Sequence, residues 1–115
     1  MKYTGSCHCQ NVRIEFETDL KEVMACNCSI CLRRGHLLAF GPESNFKLLT
    51  ESNELSDYQW SKKNIHFFFC KACGCAPFAR ANTPSGPSVA VNARCLENID
   101  LTKIPVVDFD GKHNL

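Results

Sequence analysis

Seven of the nine cysteines fall into three tight groups: Cys7-His8-Cys9, Cys26-Asn27-Cys28-Ser29-Ile30-Cys31 and Cys70-Lys71-Ala72-Cys73. Zinc sits about 2.3 Å from each thiolate that it binds, so spacings this short put several sulfurs within reach of one ion. The C-x-C and C-x2-C pairs, Cys7, Cys9, Cys70 and Cys73, supply four ligands and close one tetrahedral site. Cys26, Cys28 and Cys31 fill three corners of a second site and leave the fourth open. A closed site stabilises a fold, whereas an open one can do chemistry. The expectation is two zinc ions per chain, one structural and one reactive.

The elements that must position these groups are mostly strands. Val12, Ile14 and Phe16 alternate with Arg13, Glu15 and Glu17, the period of a half-buried strand. Leu37–Phe40 and Phe46–Leu49 read as strands on either side of the turn signal Gly41-Pro42. The segment 64–70, rich in aromatics, reads as a strand that runs into the last cysteine pair. Ala76–Arg80 and Ser88–Asn92 flank the turn-rich Thr83-Pro84-Ser85-Gly86-Pro87. Helical periodicity is weak, with single turns expected at Ser29–Arg34 and Leu96–Ile99. The first and third cysteine groups each lie beside a strand and far apart in the chain. One ion holding both would tie the N-terminal hairpin to the middle of the sheet.

Bulk properties set the frame. A chain of 115 residues is the size of one domain, expected here over 1–115. A hydrophobic fraction of 44% with eight Phe suits a packed core. The net charge of +1 comes from scattered charges, with no basic block to neutralise a nucleic-acid backbone. Apolar runs such as Ile65–Cys70 are too short to span a bilayer. Met1–Gly5 lacks the apolar stretch of a signal peptide, so a cytoplasmic, reducing location is expected. An odd cysteine count, together with C-x-C spacings that bridge poorly, then favours metal over disulfides.

Gly5-Ser6-Cys7-His8-Cys9, Cys26–Cys31, Phe69-Cys70-Lys71-Ala72-Cys73-Gly74 and Val91-Asn92-Ala93-Arg94-Cys95-Leu96 occur in that order over most of the chain. Together they resemble the glutathione-dependent formaldehyde-activating enzyme family, which also contains centromere protein V. The resemblance implies a mainly β, zinc-stapled β-tent domain of antiparallel sheets with little helix. It also implies the partition already reached from spacing: Cys7, Cys9, Cys70 and Cys73 on the structural zinc, and Cys26, Cys28 and Cys31 on the catalytic one. The activity it implies is a carbon–sulfur lyase of the S-hydroxymethylglutathione synthase kind. Its partners would be a small thiol such as glutathione and a small aldehyde such as formaldehyde.

Three thiolates make zinc a milder Lewis acid than three neutral histidines do, and so a weaker activator of water. An incoming thiol, with an intrinsic pKa of about 8.5, needs little further lowering. A thiol held at such an ion stays nucleophilic toward a small aldehyde carbonyl and gives an S-hydroxyalkyl adduct, and the reverse step cleaves the same bond.

Other residues carry weaker readings. His36, five positions after Cys31, is a candidate fourth ligand, but a second-layer or surface histidine is the commoner case. His8, between two ligands, should point away from their ion. Arg33 and Arg34 are candidate anchors for a substrate carboxylate, with Arg94 a weaker one. Phe67, Phe68 and Phe69 alternate across a strand and read first as core, and Tyr58 and Trp60 read as packing. Cys95 reads as a small buried hydrophobe. Cys75 is left as a spare thiol, an alternative ligand or a redox partner of Cys73. No residue stands out as a general base. The rival to the enzyme is a non-catalytic zinc-stabilised binding module. Such a module would be expected to add an interaction arm, and none precedes Tyr3.

Overall fold

Alternation in the sequence becomes a strand where expected: Ile14 and Phe16 of β2 (Arg13–Glu17), with Val12 just before it, are completely buried. The structure is a computed structural model that describes residues 1–59 and 65–114. A three-stranded antiparallel sheet has the order β1 (Lys2–Ser6), β2, β5 (Phe46–Leu48). A second sheet runs β10 (Val106–Phe109), β3 (Val23–Cys26), β4 (Leu38–Pro42), β9 (Gly86–Asn92), β8 (Phe78–Thr83), β7 (Ile65–Cys70), β6 (Leu55–Tyr58). Its pairs are antiparallel except for β10, which lies parallel to β3. Among the described residues helix is limited to α1 (Ser29–Arg34), α2 (Gly111–Asn114) and single 3-10 turns. The fold is therefore mainly β, as expected. No helix among the described residues is long and apolar enough to cross a membrane.

The core sits between the sheets, where Ile14 and Phe16 meet Phe78, Val89 and Val91. Burying side chains of this size stabilises by about 1.5–3 kcal/mol each. The Phe46 ring adds a contact at 4.6 Å between centroids to Phe78. The opposite face of the larger sheet carries Leu38, Phe67, Ala79 and Ala90, which pack with Cys28 and Cys31 in a second cluster. One sheet thus supports the core on one side and a cysteine site on the other.

Several expectations shift. The helical turn expected at Leu96–Ile99 forms at Ala93–Cys95 instead. The Asn92 side chain accepts from the Arg94 N–H and starts the turn early, while Leu96 is drawn into a bridge with Gly5. The residues 83–87 are tighter than a loop, because β8 and β9 continue to a Thr83–Gly86 pairing. Tyr58 is 48% exposed on the edge strand β6, so packing is not its role. Its expected neighbour Trp60 lies outside the described residues. Of the three phenylalanines, Phe68 faces the core and stacks on Phe78 at 5.1 Å, while Phe67 joins the cysteine face.

Candidate functional site

The first cluster joins Cys7, Cys9, Cys70 and Cys73, whose sulfurs all lie within 4.8 Å of one another. Two tight turns present them, one from each sheet. After β1, the Cys7 N–H donates to Val12 O, and Gln10 adopts a left-handed conformation at φ 69°. After β7, the Gly74 N–H donates to Cys70 O, with Gly74 at φ 80°, where a side chain would be strained. Backbone N–H groups then surround the sulfurs: Val12 donates to Cys7 Sγ at 3.3 Å, and Ala72 and Cys73 donate to Cys70 Sγ at 3.4 and 3.5 Å. The Cys7–Cys9 and Cys9–Cys70 sulfur separations are both 3.6 Å. Four thiolates at 2.3 Å from a tetrahedral zinc lie about 3.8 Å apart, so the donor set fits that ion.

Electrostatics points the same way. Backbone N–H groups of Cys9 and Cys75 bring the Cys73 thiol down to about 5. Burial raises the Cys7 thiol. The Asn11 N–H favours the Cys9 thiolate, but burial and the neighbouring thiols outweigh it and push Cys9 up to about 12. One thiolate forms readily, and its neighbours then hold their protons. A divalent cation would let all four ionise together.

The second cluster, Cys26, Cys28 and Cys31, also keeps its sulfurs within 4.8 Å. Cys26 ends β3, and α1 supplies the rest: Cys28 is its extended N-cap residue and Cys31 faces inward from its first turn. Gly35, left-handed at φ 67°, stops the helix by donating to Cys31 O at 2.9 Å. Burial raises the Cys28 thiol, but N–H groups of Cys31 and Ile30 and the neighbouring thiols outweigh it and bring it below its ordinary value. Cys31 is pushed up by burial and then by Cys28. Cys28 and Cys31 are buried, and Cys26 is partly buried. Three sulfurs this close can hold a metal at three of its four tetrahedral corners.

The expected neighbours sort clearly. No His, Asp or Glu among the described residues joins either cluster. His36, the candidate fourth ligand, is buried elsewhere: its Nε2 has no hydrogen-bond partner, and burial, then Arg34, pushes its pKa down to about 4. His8 is exposed, and Cys75 and Cys95 stay outside the sulfur groups. Arg33 donates to Ser29 O within its own helix. Arg94 donates to Gly35 O and so braces the end of α1. Arg34 differs. It lies over the Phe67 and Phe69 rings, at 6.0 and 5.6 Å from their centroids. Sequence reasoning did not separate Arg34 from Arg33, because only β7 packing against α1 distinguishes them.

A solved structure of a Rhodobacter sphaeroides protein matches with a TM-score of 0.78 and 28% identity, covering 90% of this chain and 99% of that one. The model of the family described as glutathione-dependent formaldehyde-activating enzyme matches residues 2–109. With that match running over nearly its whole length, the chain belongs to the glutathione-dependent formaldehyde-activating enzyme family.

Proposed function

We propose that this chain is a cytoplasmic zinc enzyme, acting as one domain over residues 1–115, that makes and breaks the carbon–sulfur bond between a small thiol and a small aldehyde. The family points to glutathione and formaldehyde as the pair. The observation that carries the reading is the gathering of Cys26, Cys28 and Cys31, without a fourth His, Asp or Glu among the described residues. Cys7, Cys9, Cys70 and Cys73 would hold the structural zinc, and Cys26, Cys28 and Cys31 the catalytic one.

When bound, the catalytic zinc lowers the pKa of an incoming thiol and keeps its sulfur nucleophilic. Cys26, the least buried of the three, marks the side from which that thiol would enter. Arg34, placed over Phe67 and Phe69, would donate to a substrate carboxylate. The thiol sulfur pair forms the bond to the aldehyde carbon, the carbonyl π pair moves to oxygen, and solvent exchanges the proton from sulfur to that oxygen. Reversal returns thiol and aldehyde.

The burial of Cys28 and Cys31, at 4% and 6% exposure, favours the rival reading of a closed zinc-stabilised binding module. Exchange NMR on glutathione and labelled formaldehyde separates the two. An enzyme speeds adduct exchange well above the protein-free rate, and a binding module leaves it unchanged.

A further inference from the structure

We infer that Asp110, just after β10, is a positioning residue for the reactive cysteines: it clamps Asn27, which joins Cys26 to Cys28, and so sets how those two sulfurs meet one ion. The inference rests on the assignment of the reactive zinc to Cys26, Cys28 and Cys31 and deepens it.

The corner that carries these sulfurs is short. β3 ends at Cys26, Cys28 is already the extended N-cap residue of α1, and Asn27 alone stands between them. Each residue brings two soft backbone dihedrals, so a small rotation at Asn27 moves one sulfur relative to the other. α1 cannot hold the corner by itself. It has six residues, and its N-cap makes no side-chain hydrogen bond. A helix this short is marginal alone and depends on ties from outside.

The ties come from far along the chain. β10 lies parallel to β3, and its last pair sets Phe109 opposite Cys26. Three hydrogen bonds then converge on Asn27. Its backbone N–H donates to Phe109 O at 3.2 Å. Its side-chain Nδ2 donates to Asp110 Oδ1 at 3.0 Å, across 83 positions of sequence. Its Oδ1 accepts from the Lys112 N–H at 2.9 Å. Both ends of the side-chain amide are therefore engaged, which fixes its plane. His113 steadies Asp110 in turn, with Nδ1 at 3.0 and 2.8 Å from the two carboxylate oxygens. The Asn27 amide, then His113, holds the Asp110 carboxyl below its usual value, so the ionised carboxylate and Asn27 favour each other's placement.

This arrangement bears on how a metal leaves. An ion held by three sulfurs is lost by releasing them one at a time, and a fixed corner keeps a released sulfur near enough for recapture. Residues that orient metal ligands in this way typically contribute about 10–100-fold to metal affinity.

Chelator-driven release of the first ion from the zinc-loaded protein, followed by native mass spectrometry, tests the clamp. Asp110→Ala is expected to release that ion about 10-fold faster than the parent, with the second ion and thermal unfolding unchanged. Asp110→Asn keeps an oxygen for Asn27 and is expected to recover most of the parent rate. Asn27→Ala and the Asn27→Ala/Asp110→Ala double variant should release alike, because Asp110 then has no Asn27 side chain to hold. Asp108→Ala, exposed on β10, should release at the parent rate. A parent rate in Asp110→Ala, additive effects in the double variant, or an equal effect of Asp108→Ala would each overturn the clamp while leaving the thiol–aldehyde reading intact. Faster release from Asp110→Ala, in a protein whose parent shows no adduct exchange, would uphold the clamp and sink the reaction.

Discussion

Cys9 Sγ lies 3.6 Å from Cys70 Sγ, although 61 positions separate them in the chain. The contact joins the turn after β1 to the turn after β7, and so links the two sheets at one point. A metal there would close a loop that the small core otherwise closes unaided.

Cys70→Ser should therefore act on the whole fold. Structural zinc contributes about 10–16 kcal/mol in small finger peptides, comparable with the roughly 5–15 kcal/mol stability of an entire domain. The variant is expected to lose cooperative thermal unfolding as well as one metal by elemental analysis. A sharp transition within a few degrees of the parent protein would contradict this.

Cys28→Ser should separate fold from chemistry. Its sulfur belongs to the three-cysteine cluster alone, so the sheets keep their tie through Cys9 and Cys70. Circular dichroism is expected to remain that of the parent, with one metal lost and adduct exchange reduced by at least about 100-fold, or 2.7 kcal/mol. Full activity with both metals retained would refute the assigned role.

The two adjacent arginines should behave differently. Arg34→Gln is expected to raise KM for glutathione by about 10-fold through the lost carboxylate contact, with Arg34→Lys only partly restoring it. Arg33→Gln, whose parent side chain is occupied with Ser29 O, should stay within about twofold, below 0.5 kcal/mol. Steady-state kinetics on the three variants checks the order, and equal effects at both positions would remove Arg34 as the anchor.

Much of this was legible in the residues. The cysteine spacing groups the sulfurs as the structure does, and alternation locates β2 and its buried Ile14 and Phe16. What was hidden depends on long-range pairing. β3 is short and carries no alternation signal, and β10 forms a strand by lying parallel to it. β1 pairs with β2 through Lys2, Thr4 and Gly5, which have no strand-like pattern of their own. The parting of β3 from β4 is equally invisible in the sequence, because the two strands pair only at Met24 and Leu38.

His36 gives the protein an acid weakness. Burial, then the charge of Arg34, lowers its folded pKa to about 4 from an ordinary 6.5. Above pH 6.5 the imidazole is neutral in both folded and unfolded states, and its neutral form is accommodated. As pH falls from 6.5 toward 4 the unfolded state takes up the proton first, and stability is lost. The loss is on the order of 2 kcal/mol after solvent screening. Denaturant titrations of the parent and His36→Gln at pH 7 and pH 4.5 should show the parent losing more. A difference between the two proteins that does not change with pH would contradict this.

The central claim is that Cys26, Cys28 and Cys31 hold an exchangeable metal on which adduct formation depends. Native mass spectrometry of the purified chain during stepwise addition of a mild chelator, with adduct exchange measured on the same samples, tests it most directly. The account predicts two zinc ions per chain, the first leaving together with activity and the second leaving only as the chain unfolds. A single tightly held metal under added zinc, or activity that outlasts loss of the first ion, would contradict it.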